Sequence, residues 1–380
     1  MDLSYTEMQK MLRNTARDFL KNECPWKVVQ EIDNSETGYS ENLWRKIAEL
    51  GWLGMDFPEV YGGMDGSLTD LGVIYEEMGN ALLPGPHFTS AMLCGGIILA
   101  LGTEEQKQQL LPDIAKGNRI FTLALTEPDY GWTPECIHLS AIPKNGNFVL
   151  NGIKRFVHDA QIADQIICVA RTRESNNPAE GITLFIVDKG SPGLSVRNLS
   201  GFVGEKLNEV TFNDVEIPSA NILGEIDNGW SALRKPLNRS TVILCAYMVG
   251  ASQHMLDMTI AYARQRVQFN RPIGAFQWVQ GYIIGQANHL EKARWLTNEA
   301  LWKLDVDKPE REQDEAVSLA KAVSSDAFHE CGHLAHEVHA GVGIDMNYRL
   351  YLYSKKSKTL YPYLGDPYHH QKRIAQILEL

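Results

Sequence analysis

The sequence predicts an α+β multidomain protein in three parts. These are an all-α domain over 1–119, a central antiparallel β sheet or barrel over 120–228, and a C-terminal helical bundle over 229–380. Two changes of texture carry this expectation. Up to about Gly117 the apolar residues recur at three-to-four spacing, and from Ile120 to about Ile217 they fall into short alternating or β-branched runs between turn residues. After Gly229 the three-to-four spacing returns over longer stretches. Helices, then strands, then helices again argues for a small antiparallel sheet and against βαβ units.

Ser4 and Glu7 have capping-box spacing, so the chain is expected to pass from Met1-Asp2-Leu3 straight into a helix. Leu12, Ala16, Phe19 and Leu20 form one apolar stripe, Leu43, Ile47 and Leu50 a second, and Leu71, Ile74, Tyr75 and Met78 a third. Thr103 and Gln106 form another capping box, opening a helix that stops near Gly117. In the centre, Phe148–Leu150, Ile166–Val169, Thr183–Val187 and Val210–Phe212 read as strands. Asn145-Gly146-Asn147, Asn151-Gly152 and Ser191-Pro192-Gly193 read as the turns between them. Residues 230–266, 275–305 and 311–340 read as three long helices with wide apolar faces, as a bundle requires.

The net charge of −11 disfavours broad attraction to nucleic acid or anionic membrane, while leaving room for a local basic pocket. No basic segment leads into an apolar one as in a secretory signal, and no apolar run reaches the roughly 20 residues of a membrane span. Six dispersed cysteines without CxxC spacing suggest buried thiols in a reducing compartment, so a cytoplasmic location is expected. There is neither a G-x-x-x-x-G-K-[ST] loop nor a strand-linked G-x-G-x-x-G, which leaves P-loop and Rossmann-type nucleotide binding unsupported.

Five blocks in order carry a resemblance. They are Pro58-Glu59-Val60-Tyr61-Gly62-Gly63 with Tyr75-Glu76-Glu77-Met78-Gly79; Leu125-Thr126-Glu127-Pro128; Asn151-Gly152-Ile153-Lys154-Arg155-Phe156 with Ala163-Asp164; Arg264 to Ile273 with Phe276-Gln277; and Ala340-Gly341-Val342-Gly343-Ile344 with Tyr363-Leu364-Gly365. Together they span nearly the whole chain and resemble the acyl-CoA dehydrogenase family. The resemblance implies that family's fold, with a C-terminal four-helix bundle, an FAD cofactor, an acyl-CoA substrate and an electron-transfer flavoprotein as acceptor. It also implies a homo- or hetero-oligomer, dimer or tetramer, because part of each FAD site comes from a neighbouring subunit.

Carried over by position, Leu125 and Thr126 would face the isoalloxazine, with Thr126 donating a hydrogen bond to the ring. Phe156 would take the place of an aromatic stacked beside the flavin, and His158 would lie near flavin N5 and O4. Arg266, Phe269, Ile273 and Gln277 would bind the pyrophosphate and adenine half across the interface, where arginine's planar fork suits a diphosphate. Gly341 would let backbone approach the adenine end. Two positions depart from the family pattern. Trp132 stands where a pyrophosphate-binding serine is usual, and Glu337 stands where a glutamine helps hold the adenosine.

The family reaction is α,β-dehydrogenation of a CoA thioester, for which a carboxylate must remove the α proton. The usual glutamate position is Leu364, and the alternative position, on the first long C-terminal helix, is Ser240; neither is a base. Three readings stay open. Asp129, His158 or Asp159 serves instead; a partner subunit supplies the complete site; or the fold serves a non-dehydrogenase flavin reaction or a structural role. Leu83-Pro84-Gly85-Pro86 and the segment Leu364–His370 resemble bacterial members that handle cyclic, branched or dicarboxylic acyl-CoAs.

His329-Glu330-Cys331-Gly332-His333 is a literal H-E-x-x-H, with His336 and His339 beyond it. The helix already has a place in the dehydrogenase pattern, and no metal is expected.

Overall fold

The computed structural model describes residues 4–201 and 206–380; Met1–Leu3, where a direct entry into helix is expected, lie outside them. The described chain runs from helices through a sheet and back to helices, as the sequence predicts. The first helices are α1 (Glu7–Glu23), α2 (Trp26–Asn34), α3 (Glu41–Glu49), α4 (Leu68–Ala81), α5 (Gly96–Leu101) and α6 (Glu104–Ala115). The strands follow: β1 (Phe121–Ala124), β2 (Ser140–Lys144), β3 (Asn147–His158), β4 (Gln165–Arg171), β5 (Ile182–Asp188), β6 (Leu194–Leu199), β7 (Leu207–Pro218) and β8 (Ile222–Leu223). After them come α7 (Gly229–Gln265), the short hairpin β9 (Val267–Gln268) and β10 (Arg271–Pro272), α8 (Gln277–Asp305), α9 (Glu310–His339), α10 (Arg349–Leu360) and α11 (Pro367–Ile377). Among the described residues no helix is long and apolar enough to cross a membrane, and the six cysteines are free.

The cap of α1 differs from the expected Ser4 and Glu7. Thr6 is the N-cap, accepting from Gln9 N while the Gln9 side chain accepts from Thr6 N, because the same spacing recurs two residues on with equally suitable residues. The Thr103–Gln106 box forms as expected on α6.

The eight-stranded sheet runs in the order β6-β7-β3-β2-β4-β5-β8, with β1 alongside β4. Most neighbours are antiparallel, but β1 pairs with β4 in parallel over Phe121–Ala124, so the sheet is mixed. Asn145 and Gly146 have φ of 52° and 81°, the left-handed pair that a tight β2–β3 hairpin demands. Asn151-Gly152, expected as a turn, instead lies inside the 12-residue β3. Gly152 has φ 145°, and the register with β7 shifts between Leu150 and Gly152, so the dipeptide makes a bulge that bends the strand without ending it.

The chain packs as two compact units. One comprises Met1–Gln30, Ser67–Leu83 and Thr241–Leu380; the other comprises Glu31–Gly66 and Pro84–Ser240. The first is helical. In it, Gly79 and Gly250 mark where α4 and α7 touch backbone to backbone, since a Cβ on Gly79 would sit 1.9 Å from Tyr247 O and one on Gly250 1.7 Å from Glu76 O. The second holds the sheet, whose core includes Leu139, Phe148, Leu150, Phe185, Val210 and Phe212, all buried.

Candidate functional site

In the sheet unit the candidate residues cluster on the turn after β1 and on the end of β3. Glu127 and Lys154, both buried, form an ion pair at 2.7 Å, and the lysine also donates to Leu125 O. The Glu127 carboxylate accepts from His138 N and Leu139 N as well, so its lone pairs are filled, as burial demands. This pair fixes the Leu125–Glu127 turn against β3.

Beyond it β3 bulges a second time, between Lys154 and Val157, and Phe156 sits in that bulge with φ 57° and 39% exposure. A bulge here turns an aromatic ring out of the sheet where the strand's alternation alone would not. Tyr130 meets Phe156 edge to face at 5.2 Å and Trp132 at 6.2 Å. The 129–133 loop thus presents an aromatic group at the place where the resemblance expects a serine hydroxyl. Leu125 is buried, with only its carbonyl engaged by Lys154. Thr126 is engaged from two sides. Its single hydroxyl proton goes to Arg155 O, while Arg155 N donates back to Thr126 O, so that proton is already committed.

The in-chain base candidates have different surroundings. Asp129 is exposed and lies 3.4 Å from His138 Nε2. His158 ends β3, and its carbonyl accepts from Thr122 Oγ1. Asp159, half-buried with φ 57°, accepts from Thr89 Oγ1 at 2.5 Å. Thr89 belongs to a nine-residue π-helical stretch, His87–Gly95, that periodicity did not reveal. Ser240 is fully buried and donates to Pro236 O four residues back at 2.9 Å, and a neutral hydroxyl is far too weak a base to take an α proton.

In the helical unit, Arg266 leads into the β9–β10 hairpin, whose tip residues Phe269 and Asn270 have φ of 51° and 62°. Phe269 is 86% exposed, which is unusual for a large apolar ring held in the left-handed region. Its ring meets Phe276 edge to face, and the Arg271 guanidinium lies 4.2 Å over that same Phe276. Arg266 and Gln277 are exposed, and among the described residues Arg266 makes no ion pair. Ile273, expected in the cofactor site, packs inward with Ala263 and Val338. Glu337 is exposed near the end of α9, and a Cβ on Gly341 would meet nothing within 4 Å.

Leu364 is buried in the turn between α10 and α11, with φ 59° followed by Gly365 at 97°. That turn is gripped from inside the bundle. Lys321 on α9, without solvent access, donates to Tyr361 O and Gly365 O, and His370 on α11 donates to Leu364 O. Burial pushes the Lys321 amine down to about 8 and holds His370 well below its ordinary value. The sequence reading missed both residues. The visible signal was a lysine within the stripe Val317, Ala320, Lys321, Ser324 and Phe328, where helical spacing points to the core.

The histidines of the H-E-x-x-H segment point different ways. His329 meets Tyr361 edge to face, His333 is exposed, His336 Nε2 lies 2.6 Å from Ser354 Oγ, and His339 stacks on Tyr262 at 4.5 Å. No group of three potential ligands gathers among the described residues.

Comparison with known proteins places these features. The chain matches the acyl-CoA dehydrogenase N-terminal domain over residues 6–118, the middle domain over 122–215 and the C-terminal domain over 227–378. It belongs to the acyl-CoA dehydrogenase family. It is 30% identical to the acryloyl-CoA reductase (NADH) of Anaerotignum propionicum over 382 residues, covering 99% of this chain and 95% of that one. Among solved structures it resembles butyryl-CoA dehydrogenase from Megasphaera elsdenii, with TM-score 0.91, 26% identity and all of both chains covered. It also resembles a chain of the ChsE4-ChsE5 complex from Mycobacterium tuberculosis, with TM-score 0.89, 25% identity and coverage of 100% and 99%.

Members of the family are FAD-dependent flavoproteins. Against FAD the chain gives a split result. The exposed Arg266, Phe269 and Gln277 surface, with open space over Gly341, suits a diphosphate and a flat base, whereas Trp132 brings an aromatic ring to the position where a short hydroxyl is expected.

Proposed function

We propose that the chain is a subunit of a hetero-oligomeric acyl-CoA dehydrogenase, working on the α,β bond of an acyl-CoA thioester with a partner chain of the same fold that supplies the proton acceptor. One observation carries this reading: both places where the family keeps its base hold a group that cannot take a proton. Leu364 is buried and apolar, and the Ser240 hydroxyl is bound to Pro236 O. The outward-facing Arg266, Phe269 and Gln277 support it, since they are displayed for something the chain itself does not provide. So does the existence, for a structural relative, of a complex between two chains.

FAD supplies the redox chemistry of this family. The role of this chain would be to offer Phe156 beside a flavin from its sheet unit and, from its helical unit, to offer Arg266 and Phe269 across the subunit interface to the diphosphate and adenine half of a flavin. The acyl group proposed is cyclic, branched or dicarboxylic, from the similarity at Leu83–Pro86 and Leu364–His370. The acceptor proposed is an electron-transfer flavoprotein.

The test is a visible spectrum of the protein purified alone and with a glutamate-bearing partner chain, followed by anaerobic titration with a panel of acyl-CoAs. Bleaching only when the partner is present is the expected result. Bleaching by the chain alone would overturn the proposal and return attention to Asp159, the part-buried carboxylate held by Thr89. Asp159→Asn would then abolish turnover. A preparation that stays colourless with every partner would point to a structural role.

A further inference from the structure

Lys321 is a lysine with no solvent access, so its ammonium has to be met by acceptors within the fold. It has three hydrogens and three acceptors: Ser325 Oγ at 2.7 Å, Tyr361 O at 3.1 Å and Gly365 O at 2.9 Å. His370, 1% exposed, uses Nε2 to donate to Leu364 O at 2.9 Å. The carbonyls of residues 361, 364 and 365 are therefore tied to two buried side chains on α9 and α11. Between those ties the backbone takes two successive left-handed steps, one of them at a leucine, a conformation that L side chains rarely adopt.

We infer that Lys321, with His370 in support, is the positioning residue of the 361–365 turn: it sets the direction in which the side chain at 364 leaves the backbone. Apolar packing alone does not demand a charged amine here, because a methionine would fill the same space without the desolvation penalty. What methionine lacks is the means to hold two carbonyls of one turn at once. The functional weight of this inference rests on the reading above, in which position 364 is a place where the family keeps its base; the inference about the turn itself does not.

The test uses a reporter at 364. In the double variant C136S/L364C the other five cysteines are buried, so iodoacetamide alkylation reads the accessibility of the turn. Lys321→Met is expected to speed alkylation at 364 by about tenfold or more, the response of a local opening to lost buried hydrogen bonds, with the far-UV spectrum unchanged. In Lys321→Ala, ethylammonium is expected to slow the reaction again, while tetramethylammonium, which has no N–H, is not. Alkylation within about twofold of the parent in Lys321→Met would overturn the inference, as noise on a scale where one hydrogen bond is worth about tenfold. Should Lys321→Met fail to fold, His370→Leu, which removes only the tie to Leu364 O, is expected to give the same acceleration, and an unchanged rate there would equally overturn it. A parallel arm adds acyl-CoA. If the thioester leaves alkylation unprotected while Lys321→Met still accelerates it, the functional reading of position 364 falls and the positioning role stands.

Discussion

The pair Lys154 and Glu127 shows what a single residue can hold in place. Each charge is buried, and each is acceptable only because the other is 2.7 Å away. Replacing Lys154 by Met would leave a carboxylate in the sheet core with only backbone N–H partners. The expected cost is about 3–5 kcal/mol, read as a drop in the urea midpoint. The double replacement Lys154→Met with Glu127→Leu should recover much of that loss, and if it costs more than the single change the account of the pair is wrong. Residues of this kind are poorly legible in sequence. Glu127 and Lys154 each stood out only as letters of a family block, since nothing in a linear chain says that two charges 27 positions apart share one buried site. The same limit hid Thr126, whose hydroxyl is consumed by a neighbouring strand, and Lys321, whose acceptors lie 40 and 44 residues further on.

Elements were far easier to read, because periodicity is a property of contiguous sequence. The long helices α7, α8 and α9 fall within a few residues of the spans expected from apolar spacing, and the β2–β3 turn sits on Asn145-Gly146. What failed was pairing and interruption. Asn151-Gly152 has the composition of a turn but serves as a bulge, since partner β7 continues past it, and the parallel match of β1 to β4 leaves no local trace. Two glycines separate the local effect from the tertiary one. Gly146 has φ 81° and open space around it, so Gly146→Ala should cost about 1 kcal/mol from backbone strain alone, with an unchanged dependence on urea. Gly250 faces Glu76 O, so Gly250→Ala must push α7 from α4 and should cost about 3 kcal/mol or more. Equal costs at the two sites would contradict the backbone contact between these helices.

At the scale of the whole molecule, buried and half-buried histidines make the helical unit sensitive to acid. Burial brings His254 and His369 down to about 4 from an ordinary 6.5, and His336, His339 and His370 are lowered as well. Native pKa values below the unfolded ones mean that the unfolded chain binds more protons between about pH 6.5 and 4, so stability falls as pH falls through that window. Each such group contributes at most about 1.4 kcal/mol per pH unit. The melting temperature should therefore drop steeply over this range. His254→Phe, which keeps a ring stacked 4.7 Å from Tyr353, should flatten the slope, and an unchanged slope would remove His254 from the account.

The discontinuous make-up of the helical unit has a consequence for the order in which the chain can fold. Helices α1 and α4 leave the ribosome first, yet the backbone that α4 packs against at Gly79 belongs to α7, beyond the whole intervening segment 84–240. At typical synthesis rates of about 5–20 residues per second, α4 waits on the order of ten seconds for that contact. The sheet unit suffers no comparable delay, since its own last strand ends at Leu223. Nascent chains arrested once residue 240, but not yet Gly250, has cleared the ribosome should accordingly hold a protease-resistant sheet and protease-sensitive first helices, and they are the species on which chaperones would act.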